Sequence, residues 1–173
     1  MAEGSTPRAE TYEHADALRE RLKERIYASI SLLAVLVALA QGGHATHWAV
    51  VASVGVTAVS LWLATLIADL QSLPVAHGRL PELAEIRHML FTSSPLLTTA
   101  VGPLLMTGLS AVGLMGVTTA LWISVGSELA TLAAWGFAGA RRIGAGLLGG
   151  LVIAGLNAAL GLAVVGVKLL AAH

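Results

Sequence analysis

The sequence has no cysteine and few charged side chains. With no cysteine among 173 residues, disulfide bonds, thiolate metal ligands and a cysteine nucleophile are excluded. Charged residues make up 12% of the chain, against roughly 25% in an average soluble domain. Ten basic residues balance ten acidic ones, so net charge indicates no nucleic-acid partner. Because 56% of the residues are hydrophobic, a soluble fold would struggle to bury them, and we predict an integral membrane protein in contact with the lipid bilayer.

Catalytic and nucleotide-binding motifs are also missing. No Walker-type loop, HExxH or GxSxG pattern occurs. His44 and His47 are three residues apart, but two ligands without a third define no metal site. We therefore expect no enzyme activity, no cofactor and no bound metal centre. The charged first 25 residues contain no apolar core, so we do not expect them to form a secretory signal peptide.

Long apolar runs divide the chain into membrane spans and connections. Residues 1–9 are predicted to be a disordered tail, and residues 10–25 an amphipathic helix at the cytoplasmic interface, because apolar side chains recur there every three or four positions. A span across the hydrocarbon core needs about 20 apolar residues. The fold class is therefore an all-α polytopic transmembrane bundle at residues 26–172, with about five helices over roughly 26–41, 48–70, 95–114, 117–138 and 143–170.

The distribution of positive charge predicts the orientation. Residues 95–140 are apolar for 46 positions, which suits two spans joined by a tight turn near Gly113 to Gly116. With this division, nine of the ten basic residues fall on one side of the membrane and only Lys168 falls near the other. Because lysine and arginine collect in cytoplasmic segments, the N-terminus is predicted inside and the C-terminus outside. The nine are Arg8, Arg19, Arg21, Lys23, Arg25, Arg79, Arg87, Arg141 and Arg142.

Three polar residues within the spans are candidates for an ion pathway. Glu128 lies near the middle of the fourth span, Asn157 near the middle of the fifth, and Asp69 at the cytoplasmic end of the second. An ionisable side chain in hydrocarbon is costly and so indicates function by default. On the functional interpretation Glu128 and Asn157 face each other and line a proton or ion site. Pro103 in the third span frees a backbone carbonyl nearby, and that span would supply Thr98, Thr99 or Met106.

A structural interpretation of the same residues remains open. Glu128 would then be protonated and hydrogen-bonded to Asn157 or Ser124, holding helices together. Asp69 would be solvated at the membrane boundary or paired with Arg142.

The glycine-rich fifth span allows close helix packing. Gly146 and Gly150 form a GxxxG pattern that Ala154 continues, and such a pattern lets a second helix approach closely. The neighbour is either another helix of the same protomer or the same helix in a homodimer.

Four segments between Leu18 and Leu170 are LRERLKERIYASISLLAVL, SLWLATLIADLQS, TTAVGPLL and LAAWGFAGARR. Over about this range, the chain resembles the vacuolar iron transporter family. The resemblance implies a dimeric five-helix fold that exports ferrous and related divalent ions in exchange for protons. Asp69 and Ser72 occupy places that match the family, and Met106 matches loosely. In the first span the family carries an Asp-Gly pair, whereas this chain reads Ala28 to Ser31.

Two hypotheses of function follow. In the first, the chain is a small transporter of protons or divalent metal ions, related to the iron transporters. In the second, it is a non-transporting membrane subunit or scaffold whose polar residues hold helices together. Separately, the bias towards Ala, Gly, Leu and Val resembles that of small membrane proteins of high-GC bacteria. The two differ in one testable feature, which is whether Asp69, Glu128 and Asn157 converge on a single polar cavity.

Overall fold

The computed structural model describes the backbone of residues 7–171 and the side chains of residues 19–75 and 78–171. All regular structure in that part of the chain is helical, which confirms the predicted all-α bundle. The helices are α1 (Pro7–Gln41), α2 (His47–His77), α3 (Leu83–Ser93), α4 (Pro95–Thr98), α5 (Val101–Ala111), α6 (Val117–Arg142) and α7 (Leu147–Ala171).

Helix α1 is one continuous helix of 35 residues. It joins the predicted interfacial helix to the predicted first span, because no proline or glycine interrupts the chain between Arg8 and Gln41. Of the predicted disordered tail, residues 1–6 lie outside the described residues and residues 7–9 belong to α1. The apolar half of α1 is the centre of the bundle, where Leu32, Leu33 and Leu36 have no exposed surface.

Four helical stretches of the described chain are long and apolar enough to cross a membrane, namely His47–Val75, Leu83–Ala111, Val117–Arg142 and Leu147–Ala171. Helix α1 is not among them. The third stretch begins at Leu83, 12 residues before the predicted 95–114, because α3, α4 and α5 follow one another almost without a break. Pro95 cannot donate to the Phe91 carbonyl, and the Ser94 hydroxyl donates to that oxygen instead, at 2.8 Å.

Glycines with positive φ end several helices. Gly78 follows α2 with φ 66°, and its N–H donates to the Pro74 carbonyl at 2.8 Å. Helix α5 ends at Ala111 and α6 begins at Val117, so residues 112–116 form the connection, with Gly113 at φ 85°. Because left-handed backbone costs glycine little, these connections can be short.

The outer surface of the bundle is apolar. Large side chains such as Val56, Leu105 and Leu156 are 60% or more exposed on the outward faces of α2, α5 and α7. A soluble monomer rarely shows apolar patches of this extent. Together with the four membrane-length helices, this surface describes a multi-pass protein in contact with lipid.

Candidate functional site

Glu128 lies in the seam between α6 and α1. It belongs to the buried face of α6 and is only 6% exposed. Two polar groups, one turn apart on α1, act on its carboxyl: the Ser29 hydroxyl, which lies within reach to donate a hydrogen bond, and the Arg25 guanidinium, through its charge. Residues 25, 29, 33 and 36 share one face of α1, because they follow the spacing of three and four that places side chains on one side of a helix. That face points into the bundle and meets Glu128.

Glu128 and its two polar neighbours, Ser29 and Arg25, each carry one buried polar atom without a well-aligned hydrogen bond. Among the described residues, these atoms are Glu128 Oε2, Ser29 Oγ and Arg25 Nε. We call Arg25, Ser29 and Glu128 the Glu128 centre. An unsatisfied buried polar atom costs about 1–3 kcal/mol, and in proteins ordered water commonly satisfies such groups. The Arg25 guanidinium also lies 5.2 Å from the centroid of the Trp135 ring, a cation–π distance.

The chemistry of the Glu128 centre suits protons better than metal ions. The positive charge of Arg25 would repel a divalent cation at this position. Within the described residues no group of three histidine, aspartate or glutamate side chains could hold a metal ion. A cavity of about 210 Å³ reaches Arg25 and is lined by Arg21, Leu22, Arg25, Pro95 and Trp135.

Asp69 lies in a different seam, between α2 and α1. The charged groups that influence its half-buried carboxyl are Glu20 and Lys23 of α1. Lys23 forms an ion pair with Glu20 and donates a hydrogen bond to its carboxylate, and this hydrogen bond raises the pKa of Lys23 above its ordinary value. One turn before Asp69, the Thr65 hydroxyl donates to Glu24 Oε2 at 3.2 Å. The seam therefore joins α1 and α2 through a hydrogen bond and a group of charges.

The alternative partner considered for Asp69 was Arg142. It is not among the charged groups that influence Asp69, and no ion pair between them occurs in the described residues.

Asn157 lies in a third seam, between α7 and α6. A Cβ added to Gly136 would collide with the Asn157 amide and would come within 3.0 Å of the Ile153 carbonyl oxygen. Glycine at this position is what lets the amide lie against the α6 backbone. Gly136 is eight residues beyond Glu128, about 12 Å along the helix. The predicted facing pair of Glu128 and Asn157 is therefore not formed.

The threonine candidates on the third span form hydrogen bonds with the nearby backbone. The buried Thr99 hydroxyl donates to the Leu96 carbonyl of its own helix at 2.7 Å. Thr98 donates in the same way to Pro95 at 3.0 Å. Met106 is partly buried on α5. No hydrogen bond in the described part of the chain joins Thr99 to Glu128, Asn157 or Asp69.

Sequence reasoning missed the residues of α1 that meet these candidates. Glu24, Arg25 and Ser29 were assigned to the interfacial helix or to an apolar run. A signal was present, since Leu22, Arg25, Ser29 and Leu33 have the spacing of a single helix face.

The glycine pattern of the fifth span packs inside the protomer at one position. A Cβ added to Gly150 would lie 2.7 Å from the Phe137 ring of α6. Gly146 precedes α7 and has no atom within 4 Å of such a Cβ.

No protein-family model, curated protein or solved structure matches this chain. We therefore infer its function from the arrangement of its side chains.

Proposed function

We propose that the chain is a non-transporting membrane subunit or scaffold, whose polar residues within the spans hold its helices together. One observation carries this proposal: Asp69, Glu128 and Asn157 lie in three separate helix seams. A transport path needs polar groups that line one cavity, because an isolated charge in hydrocarbon is costly. Polar side chains do join helices elsewhere in the bundle, through the hydrogen bonds of Thr65 with Glu24 and of His47 with Ser110. Such bonds between membrane helices contribute about 0.6 kcal/mol on average, which suits a structural role.

The proposed orientation places the N-terminus in the cytoplasm and the C-terminus outside. Arg79, Arg141 and Arg142 lie in or beside the connections that share one end of the bundle with the charged half of α1. The connections at the other end, residues 42–46 and 112–116, contain no lysine or arginine. Positive charge collects on the cytoplasmic side of membrane proteins, which supports this orientation in a cell membrane.

A second candidate function is proton or divalent-ion transport by a relative of the vacuolar iron transporters. The unpaired Glu128 Oε2 favours the proton version, because a buried carboxyl beside Arg25 can gain and lose a proton. A divalent metal ion has weaker support, since the described residues offer no set of three ligands. The other residues predicted to line the route, Thr99, Met106 and Asn157, form no hydrogen bond with Glu128 in the described chain.

For the transport function, a homodimer would provide a pore at the dimer interface. The sequence predicted that this interface would form through Gly146, Gly150 and Ala154. Because the Phe137 ring already lies where a neighbour would approach Gly150, we favour packing within one protomer at that position.

Flux measurements in proteoliposomes distinguish the two functions. We expect the native chain to pass protons, ferrous ions and manganous ions no faster than empty liposomes. Glu128→Gln and Asp69→Asn should then behave like the native chain. Flux that Glu128→Gln abolishes, while the exposed-residue control Glu82→Gln preserves it, would refute the scaffold and assign the proton path to Glu128.

A further inference from the structure

A groove of about 720 Å³ lies between α1 and α6, at the end of the bundle that carries most of the arginines. This volume falls within the roughly 300–1,000 Å³ of typical ligand sites. Its wall is apolar and its mouth is basic. The wall consists of Leu22, Ile26, Trp135, Ala138 and Gly139, and the mouth of Arg19, Lys23 and Arg142.

The basic residues at the mouth differ in how far their charge is neutralised. Lys23 is paired with Glu20. Arg19 and Arg142 form no hydrogen bond or ion pair with any residue the structure describes. Arg21, on the same helix, is engaged elsewhere, with its guanidinium 4.4 Å from an aromatic ring centroid. Two arginines without an ionic partner among the described residues therefore face one groove from opposite helices.

The spacing between the charge and the apolar wall matches a lipid. Trp135 lies seven residues before Arg142 on α6, about 10 Å along the helix axis. Tryptophan is enriched at the level of the lipid headgroups, and basic pockets between membrane helices bind anionic headgroups. We infer that this groove binds an anionic phospholipid, with its phosphate between Arg19 and Arg142 and an acyl chain against Ile26 and Trp135. Inorganic phosphate would leave the apolar wall uncovered.

Quenching of Trp135 fluorescence by brominated lipids tests this site. The native chain and Trp135→Phe are reconstituted in phosphatidylcholine vesicles containing either brominated phosphatidylglycerol or brominated phosphatidylcholine. The difference between the two proteins isolates the Trp135 signal. We expect stronger quenching by the anionic lipid, and a preference reduced up to about fivefold by either Arg19→Gln or Arg142→Gln.

Matched variants separate the groove from a general effect of charge. Arg142→Lys should retain the preference, which would also show that this position tolerates substitution. Arg87→Gln removes an exposed arginine of α3 that does not line the groove and should leave the preference unchanged.

Three results would overturn the inference. Equal quenching by both lipids would mean that the groove does not recognise charge. Absence of quenching by either lipid would mean that something else, such as a second copy of the chain, covers Trp135. Displacement of the anionic lipid by added inorganic phosphate would make this a site for free phosphate.

Discussion

Helices α1 and α7 show opposite relations between hydropathy and burial. Helix α7 qualifies as a membrane span, yet only 17% of its most apolar stretch is buried in the protein. Helix α1 is not among the four membrane-length stretches of the described chain, yet its apolar half contributes five of the residues of the buried core. In water, an apolar side chain gains by leaving the solvent, whereas in a bilayer the lipid is as apolar as the protein interior. Hydropathy therefore predicts that a helix enters the membrane, but it does not predict which helix is central.

Packing replaces the hydrophobic effect as the force that selects the central helix. Helices in a bilayer associate through van der Waals contacts and interhelical hydrogen bonds. Helix α1 contacts α2, α3, α4, α6 and α7, and it also supplies Glu24, Arg25 and Ser29 to the polar seams. Helix α7 contacts mainly α6 and presents its other side to lipid.

The largest expected effect compares one leucine from each helix. Leu33 of α1 is 0% exposed, and Leu156 of α7 is 61% exposed. We expect Leu33→Ala to lower the free energy of unfolding by about 2–5 kcal/mol, because it leaves a cavity in the core. Leu156→Ala should change it by less than about 0.5 kcal/mol, as for a surface substitution. Reversible unfolding in mixed detergent micelles measures both, and equal losses would contradict the central position of α1.

A smaller effect is expected at two glycines of α7. A Cβ at Gly161 would lie 2.6 Å from Leu129 Cδ2 and 3.4 Å from Leu33 Cδ1, whereas a Cβ at Gly155 would have no atom within 4 Å. Gly161→Val should cost about 1–3 kcal/mol through overpacking.

The matched control for this change is Gly155→Val, which makes the same change in helix propensity on the open side of α7. The same unfolding measurement compares the two variants. If they are equally stable, α7 does not pack tightly against α6 and α1 through Gly161.

The smallest effect concerns the hydrogen bond between α1 and α2. Thr65→Val removes the donor to Glu24 and should cost about 1 kcal/mol, in the range of membrane hydrogen bonds. Thr57→Val is the control on the same helix, because the Thr57 hydroxyl donates only to the Ser53 carbonyl of α2 itself, at 2.7 Å. A loss at Thr57 as large as at Thr65 would show that the seam contributes nothing to stability.

Local features of the fold were predictable from the sequence. The turn near Gly113 and the glycine beyond α2 depend on backbone preferences of a few neighbouring residues. The early start of the third membrane stretch at Leu83 was missed, since the predicted span was placed where the uninterrupted apolar run begins, at residue 95. The helical stretch continues past Pro95, and the Ser94 hydroxyl donates a hydrogen bond to the Phe91 carbonyl that the proline leaves without a donor.

For the candidate site, the sequence identified unusual residues but not their partners. Glu128 and Asn157 stand out because they interrupt apolar runs. Ser29 and Arg25 lie beside Glu128, and the α6 backbone at Gly136 lies beside Asn157. Which residues meet in this way depends on how each helix is rotated about its axis. A periodicity of 3.6 residues shows which side chains share a face, but not which neighbouring helix that face meets.

The sequence by itself determined that the chain is an all-helical bundle with an apolar exterior, because composition and the length of apolar runs govern partition into a bilayer. The tertiary structure alone decided that α1 is central and that Asp69, Glu128 and Asn157 occupy three seams. It also decided that Arg19 and Arg142 face one groove. The reason is that contacts between helices in lipid depend on shape and hydrogen bonding between residues distant in the chain, which hydropathy does not encode.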